Sequence, residues 1–121
     1  MQKTFNDNVK KAQLGNLNVI SDPFEIISIE LNNNILKAIL SYKGGFNNHD
    51  FQLIGNDMIS KSLPPRRTVK LIHHANNDSC NLKKIDTLFF DIRPLSYNLE
   101  IDSQIYLDLV ETNYSILYTL K

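Results

Sequence analysis

Cysteine, glycine, proline and tryptophan are all scarce here: one, four, four and none among 121 residues. A single cysteine, Cys80, excludes an intrachain disulfide and any cysteine-rich zinc module. Charge of one sign is not in excess either. Thirteen Lys+Arg face thirteen Asp+Glu, a formal net charge of +0, which argues against a general nucleic-acid binder whose phosphate contacts need clustered positive charge. Apolar runs last only a few residues, so no segment reads as a bilayer-spanning helix. The opening Met1-Gln2-Lys3-Thr4-Phe5-Asn6 has no apolar stretch of the kind a secretion signal carries. No P-loop, GxGxxG, HExxH or GxSxG motif is present, and the carboxylates are scattered singly. Neither an enzyme nor a resident cofactor is expected.

The remaining composition, 42% hydrophobic and 21% charged, is that of an ordinary globular domain with one core. Asparagine is the exception, with fifteen residues. It tolerates the left-handed backbone region and hydrogen-bonds its own main chain, so it can take over turn positions that glycine would otherwise fill. Its clusters fall where strands should end: Asn32-Asn33-Asn34, Asn47-Asn48 and Asn76-Asn77.

Between those clusters the hydrophobic period is two, not 3.6. Ile27, Ile29 and Leu31 share one face, and after the asparagine triplet Leu36, Ala38, Leu40 and Tyr42 share another, a hairpin signal. His49, Phe51 and Leu53 alternate with Asp50 and Gln52. Val69, Leu71 and His73 alternate with Thr68, Lys70 and His74, with Ile72 out of phase. Residues 85–92 are apolar on both faces, as in a central strand, and residues 104–110 and 114–120 form a last pair. The pattern predicts an all-β chain: an antiparallel, immunoglobulin-like β-sandwich of about seven strands over residues 23–121. Residues 1–22 read as an arm, either disordered or holding a helical turn near Val9–Leu14 and an edge strand near Leu17–Ile20.

If the strands run up and down in order, the loops at 44–48 and 76–80 share one end. His49, His73 and His74 then gather at one rim with Asp50, Asp78 and Cys80; His49 and His73 point inward and His74 outward. Two readings follow. His49, His73, Asp78 and Cys80 are suitable ligands for zinc or copper. Alternatively, the two histidines hydrogen-bond loop backbone and Asp78 caps a turn. A thiol nucleophile at Cys80 with a histidine base is a third possibility, although nothing in the sequence marks an oxyanion hole. Away from the rim, Lys61, Arg66, Arg67 and Lys70 form the one basic cluster, around Pro64-Pro65. Gly44, Gly45, Pro64, Pro65, Arg66 and Arg67 are the loop positions expected to meet a partner, an unidentified protein or small ligand. The chain is expected to be a monomer.

The rim segments also resemble a known pattern. Gly44-Gly45-Phe46-Asn47-Asn48-His49-Asp50-Phe51-Gln52-Leu53, then Leu63-Pro64-Pro65, then Leu71-Ile72-His73-His74-Ala75-Asn76-Asn77-Asp78-Ser79-Cys80, then Leu88-Phe89-Phe90-Asp91-Ile92 follow G-G-C-x-x-H-x-F-x-L, P-P, L-x-H-x-A-x-x-D-x-C, L-x-F-D-L. This is similar to a family of small bacterial secreted or lipoprotein-type β domains with no established activity. The resemblance implies a binding or structural module of the cell envelope or periplasm, whereas one free thiol also suits the cytoplasm. It further implies that two cysteines of the family lie at one rim. Here Phe46 replaces the first, so the expectation is that Phe46 fills that space by apolar packing.

Overall fold

The structure, a computed structural model, describes residues 9–121. Among these residues nine strands form in chain order: β1 (Val9–Lys11), β2 (Gln13–Leu14), β3 (Glu25–Asn32), β4 (Ile35–Lys43), β5 (Asp50–Gly55), β6 (Arg66–His74), β7 (Lys83–Asp91), β8 (Gln104–Leu109) and β9 (Ser115–Thr119), with a 3-10 turn at Arg93–Leu95. They make two sheets, ordered β1-β7-β4-β3 and β2-β5-β6-β8-β9. The inward side chains of both sheets share one core, with Leu36, Ala38, Leu40 and Phe90 facing Phe51, Leu53, Leu71, Ile105, Leu107 and Tyr118. The chain is therefore an all-β sandwich, as the alternation predicts, with more strands than expected and a mixed pairing.

Three pairings are parallel: β1 with β7, β2 with β5, and β6 with β8. The last has a topological cause. After β6 the chain crosses to the other sheet, returns along β7, and re-enters beside β6 in the same direction. The first two arise from one extended segment that changes sheets at Ala12. This residue is 1% exposed, and its N–H donates to the Asp91 carbonyl at 3.0 Å. The predicted helical turn at Val9–Leu14 is thus two short strands, and Leu17–Ile20 is not a strand. Residues 1–8 of the predicted arm lie outside the described residues. At the other flank Asn34 ties the sheets together. Its side chain donates to the Lys121 carbonyl at 2.9 Å and accepts from Tyr118 Oη at 2.7 Å and the Lys121 N–H at 3.0 Å.

The hairpin at Asn32-Asn33-Asn34 forms, with Asn33 in the left-handed region at φ 54°. Two details differ from the period-two reading. A register shift between Ile26 and Ser28 in β3 turns Ile27 outward, so Ile26, Ile29 and Leu31 are the residues packed on the core. Strand β7 is not central along its whole length: β1 covers only Phe89–Asp91, and Ile85 is 65% exposed.

Candidate functional site

The histidine rim is assembled by two neighbouring crossovers. Strands β4 and β7 pair in one sheet with Lys43 opposite Lys83, and β5 and β6 pair in the other with Asp50 opposite His74. Residues 44–49 and 75–82 therefore bridge the same gap side by side. Main chain and asparagine side chains join them. The Gly44 N–H donates to the Leu82 carbonyl at 2.9 Å, Asn47 Nδ2 to the Asn76 carbonyl at 2.7 Å, and Asn76 Nδ2 to the Asn48 carbonyl at 2.6 Å. Asn76 and Asn77 turn the second crossover at φ 56° and 59°, which asparagine accepts at little cost.

Asp78 organises both crossovers from beneath. Its Oδ2 accepts the N–H groups of Gly45, Phe46 and Asn47 at 2.8, 3.1 and 3.0 Å, and its Oδ1 accepts the Cys80 N–H at 3.0 Å. The His49 ring adds a fifth partner, with Nε2 at 2.8 Å from Oδ2. Burial pushes the carboxyl up, but the N–H of Gly45, the His49 ring and the N–H groups of Asn47 and Cys80 outweigh it and hold the group well below the ordinary carboxylate range. Gly44 is what lets the ring and carboxylate approach the backbone. A Cβ there would overlap His49 Nε2 and lie 2.7 Å from His49 Cε1 and 2.9 Å from Asp78 Oδ2.

From Asp78 the contacts continue inward. His49 Nδ1 meets His73 Nε2 at 2.7 Å, and His73 Nδ1 meets the Pro23 carbonyl at 2.9 Å. The His73 main chain grips the same segment, its N–H donating to Ser21 Oγ and its carbonyl accepting the Asp22 N–H, both at 2.9 Å. Asp22 in turn accepts the Ala75 N–H at 2.7 Å. Aromatic rings enclose the pair. Phe51 lies parallel to the His73 ring at a centroid distance of 4.4 Å, Phe24 meets it edge-on at 6.0 Å, and Tyr42 lies over His49 at 4.5 Å. Burial lowers the His73 pKa, with neighbouring His49 adding to the depression against the opposing Pro23 hydrogen bond.

The structure thus brings His49, His73 and Asp78 together, and the pattern is the hydrogen-bonding one. Metal coordination by His49, His73, Asp78 and Cys80 does not fit. Among the described residues no group of three or more His, Cys, Asp or Glu side chains could hold a metal ion. The physical reason is that the ring nitrogens face one another, a carboxylate and a carbonyl, leaving no shared point for zinc or copper to bond to. Cys80 is a free, buried thiol, 8% exposed. Asp50 lies outside the cluster, paired with Lys10, and His74 sits on the outer face, 3.0 Å from Gln52 Oε1. Phe46 is 73% exposed and does not fill the space it was expected to fill; Cys80 Sγ packs instead against Gly45, 3.2 Å from where a Cβ would stand.

Beside the rim a groove of about 750 Å³ runs between the Asp22–Glu25 segment and residues 75–83, with Tyr42, His73 and Cys80 along it. None of the expected partner positions, Gly44, Gly45, Pro64, Pro65, Arg66 and Arg67, lines this groove. Strand β6, nine residues long, separates Pro64-Pro65 from the histidine rim by roughly 25–30 Å. The basic cluster is also dispersed. Arg66 is paired with Asp108 through two 2.9 Å hydrogen bonds and lies over the Tyr106 ring, and Lys70 donates to the carbonyls of Leu17 and Val19. Arg67 is 4% exposed and donates to the carbonyls of Leu95, Asn56, Asp57 and Ser96. Burial lowers its pKa against the opposing charge of Asp57. These arginines hold the far end of the sandwich together and do not form an anion site.

No family model and no curated protein matches the chain. Among solved structures it is similar to a NigD-like immunity protein from Bacteroides caccae ATCC 43185, with TM-score 0.68 and 16% identity over 91% of this chain and 58% of that one. It is also similar to a protein of unknown function, DUF1344, from Bacteroides vulgatus ATCC 8482, with TM-score 0.63, 13% identity, and 94% and 57% of the two chains covered. A third similar structure is a putative toxin related protein from Parabacteroides distasonis ATCC 8503, with TM-score 0.59, 18% identity, and 93% and 62% covered. The chain spans under two thirds of the length of each of these proteins. At such identities the likeness shows the fold they share with it, a β-sandwich.

Proposed function

We propose that the chain is a non-enzymatic binding module of the bacterial envelope that holds a partner molecule in the groove beside its histidine rim. The observation that carries this reading is the way the groove is built. Both of its walls, Asp22–Glu25 and residues 75–83, are fixed to one buried chain of hydrogen bonds running from Asp78 through His49 and His73 to Pro23. A rigid scaffold that presents loops is the usual architecture of a recognition site. A base poised for catalysis needs a nitrogen open to substrate, whereas His49 and His73 direct all four ring nitrogens at protein groups. The description of one similar structure as an immunity protein is compatible with a binding role. The envelope address rests on the resemblance of residues 24–92 to small secreted or lipoprotein-type domains.

A photo-crosslinking amino acid placed at Lys83, beside the groove, or at Lys61, at the opposite end of the sandwich, tests the reading in the native host. Capture of one discrete partner from Lys83 and none from Lys61 is the expected result. Equal capture from both positions, or no capture from Lys83, contradicts it.

A further inference from the structure

The hydrogen bonds of the histidine pair fix the number of ring protons it must hold. Three hydrogen bonds run from Asp78 Oδ2 to His49 Nε2, from His49 Nδ1 to His73 Nε2, and from His73 Nδ1 to the Pro23 carbonyl. Pro23 O can only accept. Asp78, already accepting four backbone N–H groups, is held ionised and also only accepts. His49 Nε2 and His73 Nδ1 must therefore both carry hydrogen, and the link between the rings needs one more. Two neutral imidazoles carry two protons between them; these three bonds need three. The three contacts are satisfied together when the pair holds three ring protons opposite the Asp78 carboxylate.

We propose that this chain is an acid-sensitive latch on the groove, an inference that rests on the binding reading above. A fourth proton leaves both rings protonated on both nitrogens. Two N–H groups and two positive charges then face each other across the 2.7 Å gap between His49 Nδ1 and His73 Nε2. One ring must leave. His73 is anchored in β6 through its main chain and stacked on Phe51, whereas His49 precedes β5 on the crossover. His49 is thus the ring that moves, leaving the faces of Tyr42 and His73 on which it stacks and loosening the cradle over residues 45–47.

Of the surrounding groups Asp22 favours a further proton on His73, but burial, with His49 beside it, outweighs that pull. Burial and the nearby Asp86 carboxylate of β7 raise the pKa of Tyr42 on β4, Asp22 accepts the Ala75 N–H, and Asp50 is held by Lys10. Glu25, Lys43 and Lys83 line the groove, and Cys80 borders it from the second crossover. His74 turns to Gln52 on the outer face.

Amide hydrogen exchange on the whole protein, corrected for the intrinsic pH dependence, tests the latch without any partner. Protection at Gly45, Phe46 and Asn47 is expected to fall by about tenfold or more between about pH 7 and pH 5, while the β8–β9 amides hold. His73→Gln, which cannot take the extra proton, is expected to show no such acid response. Unchanged protection of residues 45–47 in the wild-type chain overturns the latch, as does an equal loss throughout the sandwich. Because no ligand is used, that failure would leave the crosslinking result at Lys83 standing, and failure of crosslinking would leave the exchange result standing.

Discussion

The His49 imidazole and the Asp78 carboxylate, 29 residues apart in the chain, meet at 2.8 Å directly under the backbone of Gly44. The contact fixes two crossovers at once, and it exists only because position 44 has no side chain.

Gly44→Ala should therefore destabilise the fold by about 1–3 kcal/mol, the usual cost of forcing extra volume into a filled site. Gly15→Ala is the control, since a Cβ there meets Ile54 Cγ2 at an ordinary 3.5 Å. Urea denaturation of both variants checks this. A loss at Gly44 with little change at Gly15 is expected; equal effects would mean that the clearance over His49 and Asp78 is unimportant.

The two adjacent arginines should behave oppositely. Arg67→Met leaves the carbonyls of Leu95, Asn56, Asp57 and Ser96 without their buried donor and should cost roughly 2–4 kcal/mol. Arg66→Met removes an exposed pair with Asp108, an interaction that contributes little in water. Thermal melts of the two variants give the comparison, and a more damaging Arg66 substitution would reverse the assignment.

Acid should destabilise the protein in two stages. His73 is depressed below its ordinary value of 6.5, so it contributes stability that is complete above that value and is lost as pH falls below it toward the folded-state value. Asp78 is depressed below 3.8, and so are Asp91 and Asp108; their contribution is present above that value and is lost as pH falls through their folded-state values. Urea midpoints measured across this range should show both losses. His73→Gln should flatten the upper one and Asp78→Asn should shrink the lower one. A wild-type midpoint that is constant from neutral pH down to the carboxylate range would contradict the His73 assignment.

Much of this architecture can be read from alternation. Leu36, Ala38 and Leu40, then Phe51 and Leu53, then Val69, Leu71 and His73 all point inward as period two requires. The same rule, extended one step back along β6, places Arg67 in phase with Val69, and a buried arginine is what the structure has there. The double proline and the adjacent charges mask that signal, because they mark the stretch as a loop. Other features left no local trace. Strands of three and two residues, β1 and β2, are too short to carry a period. The bulge at Ile26–Ser28 shifts register without changing composition, and the role of Asp78 depends on N–H groups more than thirty residues away.

Cys80 should react slowly. Its side chain is buried against Gly45 and its N–H is held by Asp78. A thiol reagent is expected to modify the native chain far more slowly than the urea-unfolded one. Rapid native modification would reopen a nucleophilic role for this residue.

The hydrogen-bonded chain from Asp78 to Pro23 is tested most directly by long-range nitrogen–proton correlation NMR of the histidine rings at neutral pH. Three of the four ring nitrogens of His49 and His73 should carry protons, among them His49 Nε2 and His73 Nδ1. Two protons shared by two neutral rings, or a His73 ring protonated at Nε2 alone, would contradict the geometry on which the rim, the groove and its acid response all depend.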